Sequence, residues 1–165
     1  MKSLMGKKNN FRVGIGYDVH QLKNGRKLIL SGVPIPFSKG LYGHSDADVV
    51  FHSISDAILG AAGLKDIGVY FPNTDLKYKD ISSKIILEEV FKTVSNKGFS
   101  VVNVDCTIIA EEPKIGPYRE KMKKNISEIL QTKNVNIKAT TNEKLGCIGE
   151  GRGIACFAVV LLIKK

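Results

Sequence analysis

Phe11-Arg12-Val13-Gly14-Ile15-Gly16-Tyr17 alternates with period two and predicts a first strand that runs into Asp18-Val19-His20. The glycines just before that polar pair permit a close backbone approach. Lys27 to Pro36 predicts a short strand pair around a Gly turn, and Phe37 to Gly43 a loop. Val50, Ile54, Ala57, Ile58 and Ala61 then recur at helical spacing, and the helix is expected to end near Gly63. Ser45 with Asp48 three residues on resembles a capping box, with Asp in the place of Glu. Asp48, His52 and Asp56, four residues apart, make a polar stripe on that helix. Asp66 to Asp75 is expected to be an irregular loop. A second helix starts at Asp80 or Ser82 and runs to about Asn96, with Ile85, Ile86, Val90 and Val94 on its apolar face. Phe99 to Ala110 predicts a long strand with Val102, Val104, Cys106 and Ile108 on one side. Pro113 to Pro117 is a turn, and a third helix reaches Gln131 on Met122, Ile126, Ile129 and Leu130. Val135 to Thr140 is a strand, 149–153 a glycine-rich loop, and Ile154 to Ile163 the last strand. Strands interspersed with helices, without a pure βαβ rhythm, predict one α+β domain, a mixed sheet with helices packed on one face. The domain spans 11–165; residues 1–10, with Lys2, Lys7 and Lys8, are expected to be a flexible N-terminal extension.

Composition narrows the function. A net charge of +9 is dispersed, with no aromatic interleaving and no nucleic-acid motif, so no nucleic-acid partner is expected and a small anionic substrate suits the charge. No apolar run is long enough to span a membrane, so no membrane partner is expected. Cys106, Cys147 and Cys156 are odd in number and far apart, which excludes a disulfide framework and fits a reducing compartment. Cys106 and Cys156 fall in apolar strand patterns and are expected to be small core residues.

Candidate chemistry centres on the three histidines. An Asp-x-His pair in extended backbone presents Asp18 and His20 on one face. With His52 they form a three-ligand set of the kind a catalytic zinc accepts, with a fourth position open. The spacing alone does not bring His52 to the pair, and structural histidines remain the alternative. Glu143, two residues after Thr141, is either the ligand of a harder cation or the start of a helix. The 149–153 loop is either an anion cradle or a tight hairpin.

Seven segments occur in order: Gly-Tyr-Asp-Val-His at 16–20, His-Ser-Asp-Ala-Asp at 44–48, Asp-Ala-Ile-Leu-Gly-Ala-Ala at 56–62, Asp-Ile-Gly at 66–68, Phe-Pro-Asn-Thr-Asp at 71–75, Pro-Lys at 113–114 and Ala-Thr-Thr-Asn-Glu-Lys-Leu-Gly at 139–146. Together they resemble the 2-C-methyl-D-erythritol 2,4-cyclodiphosphate synthase family from Arg12 to Lys164. The resemblance implies a homotrimer with active sites at subunit interfaces, a cytidine diphosphate substrate, and closure of a cyclic diphosphate with loss of CMP. It implies Zn2+ (or Mn2+) on Asp18, His20 and His52, and Mg2+ or Mn2+ on Glu143 and the substrate diphosphate. His44 and Thr141 match positions that stabilise the transition state. Ser45, Asp66, Ile67, Gly68, Phe71, Pro72, Asn73, Thr74 and Asp75 match the methylerythritol-phosphate pocket, and Asp18, Val19, His20 and His44 match further substrate contacts. Ala110, Pro113, Lys114, Ile115 and Gly116, with Thr140, Thr141, Asn142 and Glu143, match its cytidine and diphosphate side. The resemblance implies a bacterial cytoplasm or a plastid-type organelle. Three positions depart from the family pattern: Glu150 precedes Arg152 in the last loop, Cys147 stands where a bulky apolar residue is common, and Asn73 replaces a frequent Asp. Roles at Asp56, Cys147, Glu150 and Arg152 are therefore left open.

Overall fold

The computed structural model describes residues 10–72, 74–78 and 81–165. The long first strand, β1 (Phe11–Asn24), sets the architecture. Its even positions from Gly14 to His20 face a helix, α1 (Val49–Ala61), and its odd positions face away. Gly14 and Gly16 allow α1 to lie directly on the strand. A Cβ at Gly14 would stand 2.1 Å from the Ala57 carbonyl oxygen, and one at Gly16 would stand 1.9 Å from that of Ser53. The same parity turns Asp18 and His20 toward α1. Gly16→Ala is therefore expected to cost about 1–3 kcal/mol and to weaken metal binding, because the helix must lift away from the strand. Thermal melts and a zinc titration check this; a wild-type melting temperature would contradict it.

The sheet order is β4 (Lys39–Tyr42), β1, β7 (Gly153–Lys164), β5 (Phe99–Ile109), β6 (Val135–Thr140). All neighbours are antiparallel except β5 and β6, which run parallel. A hairpin of β2 (Leu28–Leu30) and β3 (Val33–Ile35) turns through Ser31 and Gly32, both at positive φ (50° and 68°), as a two-residue hairpin loop demands. The sheet is mixed, and the helices lie on one face, as the pattern predicts. The core lies between that face and the helices, with Phe51, Ile54, Ile58, Leu87, Ile108, Met122 and Ile126 fully buried.

Four local expectations need correction. The cap of α1 is Asp48, not Ser45: one Asp48 oxygen accepts from the backbone N–H groups of Val50 and Phe51 at 3.2 Å each, the other from Gly32 at 2.7 Å. Asp48 is fully buried at this cap. Burial pushes its carboxyl up to about 6 against the pull of those N–H groups. Residues 39–42, expected in a loop, form an edge strand because β1 extends to Asn24 and supplies a partner. On β5 a bulge between Val101 and Asn103 reverses the phase, so Val101 is buried with Val104, Cys106 and Ile108 while Val102 is only half-buried. On the second long helix, α3 (Ser83–Asn96), Ile86, Val90 and Val94 are buried but Ile85 is exposed. Ser82 caps α3 and accepts from Lys84 N–H; the alternative cap, Asp80, lies outside the described residues, as do residues 1–9.

The 66–75 stretch, expected to be irregular, contains a short helical turn, α2 (Ile67–Tyr70), and another, α5 (Gly146–Gly149), leads into the glycine-rich loop. The third long helix, α4 (Arg119–Leu130), buries Met122, Ile126 and Leu130. Cys106 and Cys156 are core residues, and a bond from Cys156, with burial, pushes the Cys106 thiol up.

The face of the sheet away from the helices is uncovered and apolar along β1 and β7. Val13 is 69% exposed and Ile15 67%, and Tyr17, Val19, Phe157 and Val159 are exposed beside them. The Tyr17 and Phe157 rings lie 4.6 Å apart.

Candidate active site

Strand parity and the close approach of α1 bring three donor atoms together. Asp18 Oδ2 lies 2.9 Å from His20 Nε2 and 2.9 Å from His52 Nδ1, and the two nitrogens are 3.2 Å apart. All three lie within 4.8 Å of one another. A tetrahedral zinc with bonds of about 2.0–2.1 Å separates neighbouring ligand atoms by about 3.3 Å, so the spacing fits such an ion. The far side of each ring is occupied. His20 Nδ1 lies 3.0 Å from the Tyr42 carbonyl, an acceptor, and so carries the ring proton; His52 Nε2 meets the hydroxyls of Ser83 at 2.8 Å and Ser45 at 3.3 Å. The atoms turned inward are thus acceptors converging on one point, an arrangement that only a cation or a proton between them stabilises. The Asp18/His20/His52 group is therefore able to hold a divalent metal ion.

Titration reflects the same convergence. Burial alone would lower His20, but the bond and charge of Asp18 outweigh it and raise its pKa above the ordinary 6.5. Burial raises Asp18, but the bonds from His20 and His52 outweigh it and hold the carboxyl well below the usual carboxylate range. A metal must displace the His20 proton. Its affinity is expected to fall about tenfold per pH unit once the pH drops below the raised His20 value, that is, from above 6.5 rather than below it. Without metal the signs differ: the His20 contribution to stability is present below 6.5 and lost as pH rises through its higher folded value, while that of Asp18 is present above 3.8 and lost in acid. Zinc content after dialysis at stepped pH checks the first point; retention unchanged to pH 5 would contradict it.

Beside the triad opens a cavity of about 220 Å³, lined by His44, Ser45, Ile67, Gly68 and Phe71 among others. His44 is exposed at its rim. Asp56, left open by the sequence, accepts from Ile67 N–H at 3.0 Å and so fixes the start of α2 against α1. Asp66 is exposed beside α2, and Pro72, Thr74 and Asp75 follow it along the loop, where Asp75 accepts from Lys77 N–H; Asn73 lies outside the described residues. Val19, between the two β1 ligands, faces the opposite side of the sheet.

A second cleft, of about 430 Å³, lies at the other edge. Ala110, Pro113, Lys114, Ile115, Gly116, Thr140 and Thr141 line it, and so does Arg119, which sequence reasoning missed. The Arg119 Nε is buried and has no hydrogen-bond partner among the described residues. Thr141 Oγ1 donates to Glu143 Oε1 at 2.6 Å. Glu111, also missed, accepts from the backbone N–H of Asn142 at 2.7 Å and of Lys144 at 3.3 Å, which pins the loop carrying Glu143. Its only sequence signal was a carboxylate next to the Pro113 turn. Cys147 is exposed, and Arg152 pairs with Glu150 at 2.7 Å.

The two halves do not meet within one chain. Val19, Ala155, Ile109 and Thr140 are successive partners across β1, β7, β5 and β6. At about 4.8 Å per strand this sets Thr140 about 14 Å from Val19.

Fold and site together define an α+β protein with a site able to hold a divalent metal ion and an open apolar sheet face. The sequence profile of the YgbB family matches residues 11–163. The chain belongs to that family. It is 55% identical over 157 residues to a 2-C-methyl-D-erythritol 2,4-cyclodiphosphate synthase of Geobacillus sp. (strain WCH70), covering 94% of this chain and 99% of that one. It superposes on the IspF–CDP complex of Plasmodium falciparum with a TM-score of 0.83 and 40% identity, covering 96% and 99% of the two chains. It also superposes on the bifunctional IspDF of Campylobacter jejuni with a TM-score of 0.90 and 42% identity, covering 94% of this chain and 42% of that longer one.

Proposed function

We propose that this protein cyclises 4-diphosphocytidyl-2-C-methyl-D-erythritol 2-phosphate to 2-C-methyl-D-erythritol 2,4-cyclodiphosphate and releases CMP, in the non-mevalonate route to isoprenoid precursors. The observation that carries the reading is the convergence of Asp18, His20 and His52 beside a cavity in a chain so similar to synthases of that name. An oxygen of the 2-phosphate bonds to the β-phosphorus. The bond from that phosphorus to the oxygen bridging to the α-phosphate breaks, and its electron pair leaves with CMP.

Asp18, His20 and His52 would hold zinc, and Glu143 would hold Mg2+ or Mn2+ together with the diphosphate. Bound there, the cations neutralise charge as two anionic groups approach. The rest falls to the chain. Ile67, Gly68 and Phe71 seat the methylerythritol end and exclude water from it. The 110–116 cleft takes the cytidine end, a reading supported by the relative whose structure is a CDP complex. His44 and Thr141 position charge at the reacting centre. No residue has to remove a proton, because a phosphate oxygen is already a nucleophile, so catalysis is positioning and electrostatics.

The working form is a homotrimer. Two observations support it: the apolar face of β1 and β7 lacks a cover, and the triad stands about 14 Å along the sheet from the Thr140 cleft. In such an assembly a neighbouring copy's cleft would complete this chain's triad. Bacterial relatives support a bacterial cytoplasmic location. Among the described residues no helix is long and apolar enough to cross a membrane.

The test is CMP release from the named substrate, with and without chelator, followed by zinc and magnesium add-back. Metal-restored release with a cyclic co-product is expected. No release from folded, zinc-loaded protein would contradict the reading.

A further inference from the structure

His52 reaches the triad through Nδ1, so its proton must sit on Nε2 for the ring to be a neutral ligand. What faces Nε2 decides this. Ser83 Oγ, at 2.8 Å, belongs to a residue with no solvent exposure, at the first position of α3. A serine hydroxyl has one proton and two lone pairs. That proton is committed elsewhere: Ser83 Oγ donates to Asp46 Oδ1. The Asp46 carboxylate also accepts from Ser83 N–H at 3.1 and 3.2 Å and from the Ser82 hydroxyl at 3.2 Å. A carboxylate only accepts, so the direction of the chain is forced. Asp46 takes the Ser83 proton, Ser83 offers its lone pair, and His52 Nε2 must be the donor. Ser45 Oγ, at 3.3 Å from Nε2, is the weaker second contact.

We propose that Ser83 and Asp46 are positioning residues that lock His52 in its Nε2–H form and so aim its Nδ1 lone pair at the metal. The proposal rests on the reading of Asp18, His20 and His52 as metal ligands. The loop before α1 and the first turn of α3 are thereby tied to metal affinity, although neither supplies a ligand from Asp46 or Ser83. Asp46 serves two ends at once, because its bonds from Ser82 and from Ser83 N–H also hold the start of α3. Sequence spacing gives no hint of the link, since Ser83 lies 31 residues beyond His52.

The experiment compares the full chain, Ser83→Ala and Ser82→Ala by zinc competition against a chromophoric chelator and by nitrogen–proton NMR of the zinc-loaded histidines. Ser83→Ala is expected to weaken zinc about 10–100-fold and to remove the slow-exchanging His52 Nε2 proton. Ser82→Ala strips the α3 cap without touching His52; it is expected to lower the melting temperature and leave zinc affinity unchanged. Zinc affinity of Ser83→Ala within twofold of wild type would overturn the proposal. So would equal loss in both variants, which a purely structural role predicts. If Ser83→Ala fails to fold, Asp46→Asn decides: weakened zinc and a fast-exchanging His52 Nε2 proton support the assignment, and wild-type values for both overturn it. None of these readouts uses turnover. A protein that passes them yet releases no CMP would keep the positioning role and lose the reaction.

Discussion

His52→Ala is expected to lower CMP release by on the order of a thousandfold or more while leaving a folded chain. The side chain is one of three converging donors, and removing it leaves Asp18 and His20 as a two-point site. The fold does not depend on it. The His52 side chain is 14% exposed at the site, and its polar partners keep others: Ser83 retains Asp46, and Ser45 retains the Ala47 N–H. No buried group is orphaned, so the cost to stability is small. Steady-state assay, metal analysis and circular dichroism check the three parts together. Substantial turnover from a variant with no bound zinc would remove His52 from the ligand set.

Ile15→Glu is expected to break the assembly and abolish turnover without emptying the triad. Ile15 is 67% exposed on the open face and points away from α1, so the folded chain alone tolerates a carboxylate there. In an assembly closed on that face the carboxylate would be buried without a partner in every copy, at a cost of several kcal/mol each. Light scattering should report monomers that still bind zinc and release no CMP. A monomer with full activity would show that one chain holds the whole site.

The same strand shows what the sequence made legible. Alternation marked β1 and placed Asp18 and His20 on one face, which is why two candidate ligands are legible from spacing alone. It did not say which face would meet the helices. The odd positions, Phe11 to Val19, are the apolar ones, yet they face outward, and the two glycines face the core because α1 needs room there. Period two gives two faces; a chain that covers its second face with another copy makes both of them apolar. The Ser45 cap failed for a related reason. Ser and Asp are both good caps at short range, and the Gly32 N–H, from a hairpin distant in sequence, selects the buried Asp48. The β5 bulge and the Glu111 clamp on 142–144 depend on strand pairing and loop closure, which leave no periodic trace. Resemblance implied both halves of the site and their meeting at a subunit interface; the sheet register adds how far apart one chain holds them.

That separation gives the most direct test. His52→Ala protomers lack the triad and keep the Glu143 cleft; Glu143→Ala protomers do the reverse. Each alone should be inactive. Co-expressed at equal amounts and purified together, homotrimers included, they would form sites that join an intact triad to a neighbour's intact cleft in about one case in four, by random assembly around a threefold axis. CMP release near a quarter of the wild-type rate is the predicted result. Mixtures as inactive as either parent would contradict a site shared between copies.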